Sequence, residues 1–202
     1  MSLPANYTDI HGWCSIEKAN KLIEIVTDCN PNLILELGVF GGRSLLALAI
    51  ASKTVNISSK VIGVDSWEKS ASLDGLNDKA NDEWWENIDY DMMYNYTINL
   101  MKENNVDNVV ELWKSKSCDV ANKFAINSID ILHQDSNHSE KISTTEVELY
   151  WDKVRPGGYW IFDDTNWETT QPAQKLLESK GYIEIYSDAK NEWKIYLRPI
   201  TK

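Results

Sequence analysis

Leu33-Ile34-Leu35-Glu36-Leu37-Gly38-Val39-Phe40-Gly41-Gly42-Arg43-Ser44 runs from an apolar segment through a double glycine into an Ala/Leu-rich stretch that continues to Ala51. A strand that breaks at a tight glycine turn and resumes as a helix is how an α/β protein opens a ligand pocket at a strand's carboxyl end. The helix that follows is apolar nearly all round, which marks it as buried. A dinucleotide fingerprint G-x-G-x-x-G starting at Gly38 needs two further glycines, where this chain has Phe40 and Arg43. A pyrophosphate then cannot approach the backbone in the usual way. The turn is either a cradle for another ligand or a plain chain reversal.

Upstream, Ser15 reads as the N-cap of a helix over Lys18 to Thr27 that carries Ile16, Leu22, Ile23 and Val26 and stops at Asn30-Pro31. Downstream, Lys60 to Val64 reads as a second strand ending at Asp65. A helix rather than a hairpin turn joins it to the first strand, so the two pair in parallel through a right-handed crossover. Val109 to Trp113 and Ile129 to His133 read as the third and fourth strands, with a short helix from Cys118 to Phe124 between them. A helix from Glu140 to Val154 is expected to stop at Arg155-Pro156-Gly157-Gly158, ahead of a fifth strand, Tyr159 to Phe162. Gln171 to Ser179 reads as a helix, and Tyr182 to Tyr186 with Trp193 to Leu197 as a terminal hairpin. The expected fold is α/β and Rossmann-like: a seven-stranded, mostly parallel sheet with an antiparallel last strand and helices on both faces.

With 202 residues and neither an internal repeat nor a linker, the chain reads as a single domain spanning 1–202. A net charge of −11 argues against nucleic acid or an anionic membrane surface as partner, since both need basic patches. Three widely spaced cysteines without a C-x-x-C pair fit reduced thiols rather than a disulfide framework or a zinc site. No apolar run approaches the ~18 residues of a membrane span, and the amino terminus lacks a signal-peptide pattern. The expectation is a cytoplasmic protein. Residues 67–99 stand apart as an aromatic and acidic insertion holding Trp67, Trp84, Trp85, Tyr90, Tyr94 and Tyr96. It reads as a lid over the pocket, a helical excursion on the sheet edge, or a contact within a homo-oligomer. His11-Gly12-Trp13 is placed at the pocket's opposite side.

Three groups of residues can carry chemistry. Asp65, at the end of the second strand, can accept hydrogen bonds from a ribose diol, or serve as a loop aspartate or cap. The neighbouring Trp67 either covers an adenine face or packs on the insertion. Asp135 follows the fourth strand and Asp163-Asp164 the fifth, so a parallel sheet brings three carboxylates to one rim. Unpaired, they raise one another's pKa values; a hard divalent cation removes that conflict, and an all-oxygen set suits Mg²⁺. The alternative is that Asp135 and Asp164 cap the elements that follow. His138 titrates near neutrality and suits proton abstraction from a hydroxyl at that rim, or is a helix-start hydrogen-bonding residue.

Together, Glu36 to Ser44, Val61 to Asp65, Val110 to Asp119, Ile129 to His138 and Val154 to Asp164 resemble the class I S-adenosylmethionine-dependent methyltransferases. Within that class the chain is most similar to the metal-dependent small-molecule O-methyltransferases that act on catechols and macrolide sugars. The resemblance implies that Glu36, Gly38, Phe40 and Ser44 line the methionine half of S-adenosylmethionine, with Gly41 and Gly42 leading into the helix start that favours its carboxylate. It also implies that Asp65 holds the ribose, with Ser66, Ser117 and Cys118 around the adenine. Asp135 sits in both the cofactor wall and the metal set, which Asp163 and Asp164 complete around Mg²⁺. His138 falls where catechol-type enzymes place a lysine base, and Asn137 where the sugar enzymes place an aspartate base. The implied reaction is O-methylation of a small sugar or phenol hydroxyl. The alternatives are metal-independent O- or N-methyl transfer on the same fold, or a binding protein without catalysis.

Overall fold

The structure, a computed structural model, describes residues 2–75, 79–190 and 192–200. In chain order its main elements are α1 (Ile16–Cys29), β1 (Leu33–Leu37), α2 (Arg43–Val55), β2 (Lys60–Asp65), α3 (Lys69–Ser72), α4 (Lys79–Glu86), α5 (Tyr90–Glu103), β3 (Val110–Lys114), α6 (Ser117–Val120), β4 (Ile129–Gln134), α7 (Glu140–Tyr150), β5 (Val154–Asp163), α8 (Gln171–Ser179), β6 (Ile183–Ser187) and β7 (Trp193–Leu197). The seven strands form one sheet in the order β3-β2-β1-β4-β5-β7-β6. The first five are parallel, and β7 runs antiparallel to both β5 and β6. This is the expected α/β, Rossmann-like sheet.

Each face of the sheet buries its own apolar cluster, one under α1, α2 and α5 and the other under α7 and α8. Strand order reverses between β1 and β4, and in such sheets ligands bind outside the strand ends at that switch point. Gly38 makes the approach of the two strand-end loops there: its φ is +85°, and a Cβ would lie 2.0 Å from the Asp135 carbonyl oxygen. No other residue fits that position.

Two expectations from the sequence are corrected. The helix read as reaching Val154 ends at Tyr150, and Arg155-Pro156-Gly157-Gly158 lies inside β5 rather than ahead of it. Ile129 pairs with Val154 and Ile131 with Tyr159, so two steps along β4 are matched by five along β5. The turn formers make a bulge that stays anchored: Gly157 N–H donates to Arg198 O (2.6 Å), Arg198 N–H to Gly158 O (3.0 Å), and the Arg155 guanidinium to Asp130. On α1 the buried face is Lys18, Ala19, Leu22, Ile25 and Val26, while Ile16 is exposed.

The 67–99 segment divides, apart from residues 76–78, which lie outside the described residues. α5 turns Met93, Thr97, Leu100 and Met101 into the core and is the crossover helix from β2 to β3. The excursion that leaves the sheet is therefore Ser66 to Asp89, in which α3 and α4 bury no residue.

Candidate active site

The ends of β1, β2, β4 and β5 open into a cavity of about 1040 Å³. That is at the top of the ~300–1,000 Å³ usual for small-molecule sites and large enough for two ligands. Gly38, Phe40, Ser44, Asp65, Ser66, Trp67, Ser117, Cys118, Asp135, His138, Asp163 and Asp164 all line it. Glu36, Gly41 and Gly42 do not: they are the supports behind the wall. Glu36 is fully buried and accepts from the Ser44 hydroxyl at 2.8 Å. Gly41 packs on His11, and Gly42, at φ +84°, caps α2 against Thr97 and Met101.

The β1–β2 side is held by Asp65. Its Oδ2 accepts from the Val39 and Phe40 N–H groups (both 2.9 Å) and its Oδ1 from Trp67 N–H (2.7 Å). Three of roughly four acceptor sites on the carboxylate are therefore committed to the loops around the turn, and about one is left for a ligand. Phe40, Trp67 and Asp164 all carry left-handed backbone (φ +48°, +44° and +52°), a strain that surrounding contacts must hold. The Phe40 carbonyl accepts from the Trp67 indole (3.0 Å) and the Thr97 hydroxyl (2.8 Å). Above the turn, Trp13 stacks on Phe40 at 5.3 Å between ring centres, and Trp84 and Trp85 close against both rings. Gly12 and Trp13 therefore stand at the cavity, but on the same side as Trp84 and Trp85 of the excursion rather than opposite it, whereas His11 packs beneath on Tyr96. After β3 the Tyr150 hydroxyl donates to Ser117 O at 2.6 Å, fixing that loop at the cavity. Burial pushes the Cys118 thiol up to about 11, so it is a wall rather than a nucleophile.

The β4–β5 side is built from charges. The three aspartates do not form one set; among the described residues they divide into two clusters, His133–Asp135–Asp163 and Asp135–His138–Asp164. His138 Nε2 lies 2.7 Å from Asp164 Oδ2 and 4.0 Å from Asp135 Oδ1, with its ring edge-on to Trp167 at 4.9 Å. Burial alone lowers the pKa of such an imidazole, but the two carboxylates outweigh it and push His138 up to about 10. In this arrangement the His138 ring is held by the Asp164 carboxylate, with Asp135 beside it. Asp163 is taken by Lys18, whose buried ammonium donates to its Oδ2, with His133 Nε2 3.6 Å away on the same oxygen. Burial favours a protonated Asp163, yet Lys18 and His133 hold its carboxyl well below the usual range. Burial likewise disfavours charge on Lys18, but Asp163 and Asp135 keep it above the ordinary lysine value.

Asn137 is committed to structure. Its amide donates to the carbonyls of Ala71, Ser72 and Asp74 at 3.0–3.1 Å and its oxygen accepts from Ser139 N–H, tying the excursion to the β4–α7 loop. Lys18 is the residue that sequence reasoning missed. Its signal was a lysine four residues before Leu22 and seven before Ile25, on the apolar stripe of α1.

Against known proteins, a family model described as a methyltransferase domain matches residues 35–165, well over half of the chain. No curated protein matches by sequence. Among solved structures, the O-methyltransferase NovP superposes with a TM-score of 0.70 at 17% identity, over 91% of this chain and 79% of that one. An O-methyltransferase from Bacillus cereus in complex with SAH gives 0.63 at 15% identity, over 96% and 84%. The O-methyltransferase TomG from Streptomyces achromogenes, in complex with SAM, gives 0.62 at 17% identity, over 92% and 81%. At such identities these likenesses establish the fold. With the matched family, the switch-point cavity and the glycine turn in place, the chain belongs to the methyltransferase-domain family, the class I S-adenosylmethionine-dependent methyltransferases.

Proposed function

We propose that the protein methylates a hydroxyl of a small molecule, a phenol or a sugar, with S-adenosylmethionine as donor. The observation that carries this reading is one cavity with two unlike walls: a backbone turn shaped for a cofactor on the β1–β2 side, and buried ionisable groups on the β4–β5 side. When bound, S-adenosylmethionine supplies an electrophilic methyl group on a sulfonium. The start of α2 after Gly42 offers backbone N–H groups and a positive helix end to the methionine carboxylate. Trp13, Trp84 and Trp85 pack over Phe40 and roof the turn. The opposite wall then has to orient the acceptor oxygen and take up or release its proton, and positioning of this kind supplies much of the rate in such transfers.

The residues that fit a divalent cation are Asp135, His138 and Asp164, two carboxylates and an imidazole, with Asp163 withdrawn by Lys18. A cation held there, Mg²⁺ or a softer ion such as Mn²⁺, has the chemistry to acidify and orient a hydroxyl. A second reading, transfer without a metal, is favoured by the Lys18–Asp163 pair, which already places a positive charge on one of the expected ligands. The test is a radiolabelled methyl-transfer screen over phenol and sugar acceptors, with Mn²⁺ or EDTA, alongside Mn²⁺ binding read by electron paramagnetic resonance. Metal-stimulated transfer with Mn²⁺ binding that is lost in Asp164→Asn supports the first reading. Transfer in EDTA supports the second, and label appearing only on amines contradicts both.

A further inference from the structure

We infer that the Lys18 ammonium is a built-in cation that occupies one of two carboxylate sets on the β4–β5 wall, and so decides which residues hold a divalent ion and which ion they prefer. This deepens the metal-assisted reading above and rests on it. The two sets, His133–Asp135–Asp163 and Asp135–His138–Asp164, share Asp135. In the first, the ammonium donates to Asp163 Oδ2, and His133 Nε2 stands 3.6 Å from the same oxygen. The other oxygen, Asp163 Oδ1, accepts from the Asp164 N–H at 3.2 Å. Both oxygens of Asp163 are thus engaged by the protein itself. Lys18 is held in place from α1: only 5% exposed, it shares the buried face with Ala19 and Leu22, and its ammonium stands 5.9 Å from the Trp193 ring centre. Its stem is packed in the core, so the charge stays with the pair.

Charge and ligand chemistry fix the consequence. The groups facing the ammonium are the Asp163 and Asp135 carboxylates, the His133 imidazole and the buried Cys14 thiol. Asp135 is also the carboxylate that an ion in the second set shares. The ammonium therefore opposes such an ion twice: it occupies Asp163, and it repels a second positive charge across Asp135. What remains for the ion is two carboxylates and the His138 imidazole, whose Nε2 is 2.7 Å from Asp164 Oδ2. An imidazole in the set favours a transition-metal ion over Mg²⁺, which takes oxygen ligands. Without Lys18 the wall presents three carboxylates, the oxygen set that Mg²⁺ favours. Lys18 thus sets both the strength and the selectivity of ion binding.

The test reads Mn²⁺ binding to the full chain by electron paramagnetic resonance, with Mg²⁺ as competitor. Lys18→Met should raise Mg²⁺ affinity about tenfold or more, and Mn²⁺ affinity by less. By mass action, Mg²⁺ should then raise the melting temperature of this variant more than that of wild type. Lys18→Arg should stay near wild type. Lys18→Met/Asp163→Asn removes both charges of the pair and should bind Mn²⁺ within about threefold of wild type. No gain in Mg²⁺ affinity in Lys18→Met overturns the assignment, and an equal gain for both ions overturns its selectivity. A double variant that loses Mn²⁺ overturns it as well, because Asp163 is then a ligand in the wild-type chain. Should circular dichroism show that Lys18→Met does not fold, the double variant decides by the same criterion. Binding by neither wild type nor Lys18→Met overturns the metal-assisted reading too. Wild-type binding that is lost in Asp164→Asn, without a gain in Lys18→Met, overturns only the role of Lys18.

Discussion

On the β1–β2 side the cavity wall is backbone held by a single side chain: the Asp65 carboxylate accepts from Val39 and Phe40 N–H in the Gly38 turn and from Trp67 N–H beside it. On the β4–β5 side it is side chain held by side chain, with Lys18 and His133 on Asp163 and with His138 on Asp164. The first kind of wall keeps one shape whatever fills it, as suits a cofactor common to a whole family. The second places charge, and its shape depends on which of its groups are protonated or ligated. A shared fold can therefore keep the one and vary the other.

Substitutions can break that contrast, and the largest effect is expected at the turn. Gly38→Ala puts a methyl 2.0 Å from the Asp135 carbonyl oxygen, on a backbone with φ +85°. The expected loss in denaturant-monitored stability is about 4 kcal/mol or more, together with loss of S-adenosylhomocysteine binding. A variant of near wild-type midpoint would mean that the two strand-end loops do not meet as described. On the charged side, Asp163→Asn leaves the Lys18 ammonium buried beside a neutral amide, at a cost of about 3 kcal/mol. The double variant Lys18→Met/Asp163→Asn should recover much of that loss, and strict additivity in the cycle would show that the pair is not coupled.

Smaller changes sharpen the comparison. Asn137→Ala removes the donor that three carbonyls of the excursion share, worth about 1–2 kcal/mol. Hydrogen exchange over 69–75 should quicken while the sheet's protection stays unchanged; equal protection would discard the tether. Ser15→Ala removes the cap of the helix that carries Lys18, whose N–H bonds the serine hydroxyl at 3.1 Å. About 1 kcal/mol is expected, with S-adenosylhomocysteine affinity unchanged. A matching fall in that affinity would mean that α1 takes part in the cofactor wall.

The same contrast explains what the sequence makes legible. The strand, glycine turn and helix of residues 33–55 are specified by neighbours in the chain, so their positions follow from local spacing. So does the antiparallel hairpin at the end. The Arg155-Pro156-Gly157-Gly158 bulge misleads because its breakers are satisfied from Arg198, far along the chain. At the site, the rim shared by Asp135, Asp163 and Asp164 follows from a parallel sheet. The division of those carboxylates does not, because the Lys18–Asp163 pair joins residues 145 apart. Asp65 and Glu36 are likewise legible as residues at strand ends. That Asp65 spends most of its acceptor capacity on the protein itself, and that Glu36 is turned inward to the Ser44 hydroxyl, depends on where Val39, Phe40, Trp67 and Ser44 come to lie.

The central claim is that the cavity at the β1–β4 switch point is the binding site of S-adenosylmethionine. Titration calorimetry of the full chain with S-adenosylhomocysteine, run beside a nicotinamide dinucleotide, tests it most directly. The account predicts one equivalent of S-adenosylhomocysteine per chain, lost in Gly38→Ala, and no heat from the dinucleotide. Binding of the dinucleotide, or no binding of S-adenosylhomocysteine by the folded wild-type chain, would contradict it.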